Sequence, residues 1–124
     1  MRAIIKSFHS PGIDDLQYFK PEIDDNFCFL LQLMIGPENE DGEESFDIEV
    51  CTPKWLLSNY EKSEILFGRH LLIVFEYNFE QISNKIKKFI ERCSGHDWNE
   101  VAKQISLIAS WEFEDYVDKL ENEK

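Results

Sequence analysis

Three adjacent carboxylate pairs, Asp14-Asp15, Asp24-Asp25 and Glu43-Glu44, are the first side chains to weigh for chemistry in this 124-residue sequence, together with three histidines and three cysteines. Two carboxylates act as general acid and base only where a walled cleft drives their pKa values apart. Each pair here sits among turn or hairpin signals, where water keeps both members ionised. His9, His70 and His96 are scattered, with no two at i, i+4 around a Glu, so the helical zinc-hydrolase motif is absent. They read as surface or hydrogen-bonded residues. Cys28, Cys51 and Cys93 are odd in number and widely spaced. The first two fall in strand-like segments and the third ends a helical one, which predicts small buried free thiols rather than a disulfide or a catalytic nucleophile. No Gly-x-Ser-x-Gly elbow or Gly-rich phosphate loop occurs, and the acids after Glu38 lack the alternate spacing of a calcium loop. The sequence therefore predicts no catalytic residue, no cofactor and no metal site.

The acids speak instead through number and placement. Between Glu38 and Glu49 there are seven carboxylates and no Lys or Arg. Residues 1–64 carry fourteen acids against five bases, whereas 65–124 carry eleven against eight, so most of the formal charge of -12 is built by the first half. A fixed negative surface speeds encounter with a basic partner and repels nucleic acid and anionic lipid. A hydrophobic content of 43% with ten Phe excludes a disordered acidic chain. No apolar run approaches the roughly 18 residues of a membrane span. The opening Met1-Arg2-Ala3-Ile4-Ile5-Lys6 is broken by charge too early for a signal peptide, so a cytoplasmic protein is expected.

The elements that must display these acids follow from periodicity. Residues 2–9 read as a strand closed by Ser10-Pro11-Gly12, and 11–25 as a polar connection. The apolar run 27–35 reads as a central strand covered on both faces. After the acidic turn, Phe46, Ile48 and Val50 alternate with Asp47, Glu49 and Cys51, which predicts a strand over 44–51 returning antiparallel. Thr52 before Pro53 predicts an N-cap and a short helix over 53–60 that buries Trp55, Leu56 and Tyr60. Residues 70–77 read as another inner strand. Asn78 begins a helix over 79–93 with a stripe of Phe79, Ile82, Ile86, Phe89, Ile90 and Cys93. Asp97 with Glu100 starts a helix over 98–109, and Trp111 to Tyr116 is strand-like or irregular.

Strands early and helices late predict one α+β domain over 1–124, with a polar tail from about 118: a mostly antiparallel sheet of about four to five strands and two to three helices packed on one face. Its expected core includes Phe29, Leu31, Phe46, Ile48, Trp55, Val74, Ile86, Phe89, Val101 and Ile105. An exposed edge such as the N-terminal strand leaves a monomer or a weak homodimer open.

Across nearly the whole chain, Phe27 to Pro37, the acidic insertion, Val50-Cys51-Thr52-Pro53-Lys54-Trp55-Leu56, Gly68 to Val74 and Trp111-Glu112-Phe113-Glu114-Asp115-Tyr116 together resemble the immunity protein 8 family of bacterial polymorphic toxin systems. Cys51 to Leu56 is the most specific piece. The resemblance implies a small cytoplasmic, non-enzymatic antitoxin that binds a cognate toxin domain, and it brings no catalytic residues with it. Joined to the charge, it predicts an inhibitor of a nuclease or another basic-cleft toxin. The expected contact residues are Glu43, Glu44, Asp47 and Glu49, pointing away from the core, with Asp24, Asp25, Glu112, Glu114 and Asp115. The alternative is an acidic interaction module or nucleic-acid mimic with a non-toxin partner.

Overall fold

The computed structural model describes residues 1–113 of the chain. In order, these form β1 (Ala3–His9), β2 (Cys28–Pro37), β3 (Glu44–Cys51), α1 (Pro53–Asn59), β4 (Leu71–Ile73), α2 (Phe79–Glu91), α3 (Trp98–Ile105) and β5 (Ser110–Trp111). The fold is α+β, with a mostly antiparallel five-stranded sheet in the order β1-β2-β3-β4. β5 pairs with β3 as well, antiparallel at Phe46 and Asp47, while β4 lies parallel to Glu49, Val50 and Cys51. The two short strands thus share the one edge of β3 that β2 leaves free.

Alternation in the hairpin decides what is buried. The register Leu31↔Ile48 and Leu33↔Phe46 puts those four side chains on one face. There, with Ile35 and Val50, they form a core with Ile82, Ile86 and Ile90 of α2 and Val101, Ala102 and Ile105 of α3. The opposite face carries Leu30, Gln32 and Met34 of β2 beside Ser45, Asp47 and Glu49 of β3, all half-buried or exposed. Among the described residues, β2 is therefore closed on one face only, and the partner strand supplies polar residues to the other. This corrects the expectation of a strand covered on both sides.

Local signals placed the helices well. Thr52, Asn78 and Asp97 each cap a helix by accepting the backbone N–H three residues on, from Trp55, Gln81 and Glu100. α1, however, buries none of its residues; Trp55 and Leu56 are half-buried and Tyr60 is exposed, which corrects the expectation that the helix buries all three. Phe29, Val74 and Phe89 likewise pack against the core while only half-buried.

The strand expected over 70–77 is three residues long and parallel to β3. Its brevity has a visible cause. After Val74 donates to the Cys51 carbonyl, the chain bends, and Tyr77 enters an aromatic cluster with Phe19, Phe27 and Phe29 while its hydroxyl donates to the Leu16 carbonyl. Asn78 then opens α2 at once. At the other edge, β1 carries an irregularity between Ile5 and Ser7, and Lys6 turns its ammonium to the Glu40 carbonyl at 2.8 Å. A bulge and a lysine are features that blunt an edge strand against pairing.

Candidate functional site

The candidate carboxylates divide by strand parity. Glu44 is in phase with Phe46, Ile48 and Val50, so it faces the core side. Its Oε2 accepts the indole N–H of Trp98 at 2.8 Å and that of Trp111 at 2.6 Å. The expectation that Glu44 points outward is corrected by that phase, which was readable at i, i+2. Glu112 is similarly engaged, its Oε1 accepting the Ser45 backbone N–H at 2.7 Å. Asp47 and Glu49, out of phase with the core, lie on the open face, and Asp47 accepts the Ser45 hydroxyl at 3.2 Å.

Glu43 is exposed on the turn between β2 and β3. That turn folds back on the strand, since a Cβ at Gly36 would stand 2.1 Å from the Gly42 carbonyl oxygen. Asp24 is exposed in the connection before β2. Asp25 pairs with Lys54 at 2.7 Å, and the hydrogen bond and charge of that ammonium hold its carboxyl below the usual carboxylate range. The turn and Asp25 mark opposite ends of β2, and ten residues of strand separate them by roughly 30 Å. The predicted acids therefore do not form one patch; Asp47 and Glu49 are the pair that the structure brings together on an accessible face. Glu114 and Asp115 lie outside the described residues.

The cysteines correct the expectation of free thiols. The same register that sets Leu31 against Ile48 sets Cys28 against Cys51, and the two form a cross-strand disulfide. Glu49 stands beside it, its Oε2 3.8 Å from the Cys28 sulfur. These three residues bring their ligand atoms within 4.8 Å of one another, a spacing that suits a metal only when both cysteines are thiols. Cys93 is free and buried, and burial raises its pKa, which keeps it a protonated core thiol. Burial likewise pushes the Tyr77 phenol up to about 12, with the charge of Asp15 adding to the shift.

Ile65 to Gly68 reads from the sequence as a turn, with no binding role assigned to it or to its surroundings. Of the thirteen large hydrophobic side chains exposed among the described residues, seven fall between Leu57 and Phe75: Leu57, Tyr60, Ile65, Leu66, Phe67, Ile73 and Phe75. Ile65 and Phe67 are 95% and 105% exposed. Gly68 and His70 both adopt positive φ, of 68° and 59°, and the latter is rare for a residue with a side chain. The His70 ring nitrogen Nε2 meets the Ser106 carbonyl oxygen at 2.9 Å, and its own carbonyl accepts the Glu49 N–H at 3.0 Å. Between this loop and the open sheet face runs a groove of about 500 Å³, lined among others by Leu30, Asp47, Glu49, Tyr60, Phe67 and Leu71. The available signal was Ile65-Leu66-Phe67, three apolar residues in a stretch with neither strand nor helix periodicity.

An α+β scaffold that displays carboxylates and apolar side chains on its surface is suited to holding a macromolecular partner. The chain belongs to the immunity protein 8 family, whose sequence profile matches residues 3–116. It is thus an immunity protein of a bacterial toxin system, whose partner is a cognate toxin. Comparison with curated proteins and with solved structures returned no significant match. Among the described residues, no helix is long and apolar enough to cross a membrane.

Proposed function

We propose that this immunity protein neutralises its toxin by binding the toxin domain through an acidic surface, and that the toxin carries a basic cleft for an anionic substrate such as nucleic acid. The observation that carries the reading is the family membership over 3–116 combined with a formal charge of -12 concentrated in the first half of the chain. Carboxylates pair bidentately with Arg and deny phosphates their site. Opposite charge also quickens capture, which an inhibitor of a lethal enzyme needs. The candidates for this role are the exposed Glu43, Glu49 and Asp24 and the half-buried Asp47. Glu44 and Glu112 already serve internal hydrogen bonds.

The test is co-production with the toxin domain encoded by the neighbouring gene. Protection of the host cell and direct binding whose on-rate falls steeply with salt are the expected results. Binding that is indifferent to salt would remove the acidic surface from the mechanism while leaving the immunity role in place.

A further inference from the structure

We infer that the groove between the open face of the sheet and the Ile65–Phe67 loop is the surface that engages the toxin, and that its occupant is a toxin segment presenting an Arg or Lys side chain flanked by apolar ones. The inference rests on the immunity reading and specifies where and how contact is made.

Three independent features converge there. Of the seven exposed apolar side chains between Leu57 and Phe75, three, Tyr60, Leu66 and Phe67, line the groove, and exposed apolar surface gathered in one place marks an interaction surface. Phe67 is a fully exposed aromatic side chain that lines the groove, directly before a turn in which Gly68 and His70 take positive φ and the His70 ring meets the Ser106 carbonyl oxygen. Aromatic anchors at the centre of an interface carry a large share of its affinity.

Charge selects the occupant. Asp47 and Glu49 line the groove beside Leu30, Tyr60, Phe67 and Leu71, so a cation entering it meets carboxylates while its aliphatic stem meets apolar walls. Arg69 also lines the groove, so among the described residues two carboxylates and one guanidinium border it. A volume of about 500 Å³ lies within the roughly 300–1,000 Å³ of pockets that enclose a small ligand, enough for one long basic side chain and its neighbours. Glu43 is exposed on the acidic turn and does not line this groove; on this reading it steers the toxin in without touching its bound form.

The experiment measures binding of the purified toxin domain of the neighbouring gene to wild type, Phe67→Ala, the double variant Asp47→Asn/Glu49→Gln, and Glu43→Lys, each checked by circular dichroism melting. Phe67 is fully exposed, so its truncation leaves the fold intact. Phe67→Ala should weaken the equilibrium affinity by about 30-fold or more, the loss typical of a central anchor. The double variant should weaken it by about tenfold with a faster off-rate, and Glu43→Lys should change mainly the on-rate. A wild type that binds and protects, with Phe67→Ala and the double variant both within threefold of it, overturns the groove as the interface and leaves the immunity reading standing. A wild type that neither binds nor protects overturns that reading and the groove with it.

Discussion

The carboxylate of Glu44 accepts a 2.6 Å hydrogen bond from the indole of Trp111, tying the first residue of β3 to the last of β5. A second indole, that of Trp98 at the start of α3, shares the same oxygen. One acid therefore joins the hairpin, the second core helix and the final strand. Glu44→Ala should cost about 1–3 kcal/mol for each indole N–H left without an acceptor. Glu44→Gln keeps an acceptor oxygen and should cost less. Urea unfolding followed by tryptophan fluorescence measures both, and a loss under about 0.5 kcal/mol for the alanine variant would contradict the bridge.

Thr52 is fully buried, and its hydroxyl serves two segments. The oxygen accepts the Trp55 N–H as the cap of α1 and the Phe27 N–H from the strand entry. Thr52→Val conserves volume and removes both acceptors, so it should destabilise by roughly 2 kcal/mol or more. Thr52→Ser should recover most of that loss in the same denaturation experiment.

Asp97→Ala removes the cap of α3, where Oδ1 accepts the Glu100 N–H at 2.9 Å, and should cost about 0.5–2 kcal/mol. Gly95→Ala should act at the same place by another route. Its new Cβ would fall 2.7 Å from the Glu100 Cβ and 2.9 Å from Oε2, which accepts the His96 N–H. Thermal melting of the two single variants and the double should show less than additive losses, because both disturb the same turn. Full additivity would refute that coupling.

Tyr77 gives a signed pH dependence. Its phenol is pushed up to about 12 in the folded protein from the ordinary tyrosine value of 10.0, so folding favours the protonated form. That contribution to stability is fully present below pH 10 and should be lost as pH rises through about 12. Tyr77→Phe, which also loses the hydrogen bond to the Leu16 carbonyl, should be less stable at neutral pH by about 0.5–1.5 kcal/mol. It should show a shallower alkaline decline. Spectrophotometric titration of tyrosinate should reveal one late-titrating phenol in the wild type that is missing from the variant.

Reversal of Glu43, Asp47 and Glu49 to Lys, with Glu44 left in place, tests the acidic surface as a whole. Glu43 and Glu49 are exposed, Asp47 is half-buried and none of the three belongs to the core cluster, so the variant should remain folded by circular dichroism. Protection against the toxin should fail. A folded variant that protects fully would show that these acids serve solubility alone.

The sequence by itself determined the elements whose causes are local. Phe46, Ile48 and Val50 fixed one face of β3, and the stripe of Ile82, Ile86 and Ile90 fixed the buried side of α2. Thr52, Asn78 and Asp97 fixed the helix starts, because a cap acts on a backbone N–H only three residues away. The phase of Glu44 was equally legible in its i, i+2 relation to Phe46. Only the tertiary structure decided what depends on pairing between distant segments. β4 became short and parallel because the free edge of β3 was shared with β5 and because Tyr77 was drawn into the cluster of Phe19, Phe27 and Phe29. Cys28 met Cys51 through a register set by the whole hairpin rather than by either neighbourhood. Phe67 came to line one groove with Asp47 and Glu49 because β4 pairs with β3, a placement that no local pattern encodes. Side-chain phase is a property of one strand, whereas the neighbours a strand meets are chosen by the free edges and faces that the rest of the chain leaves open.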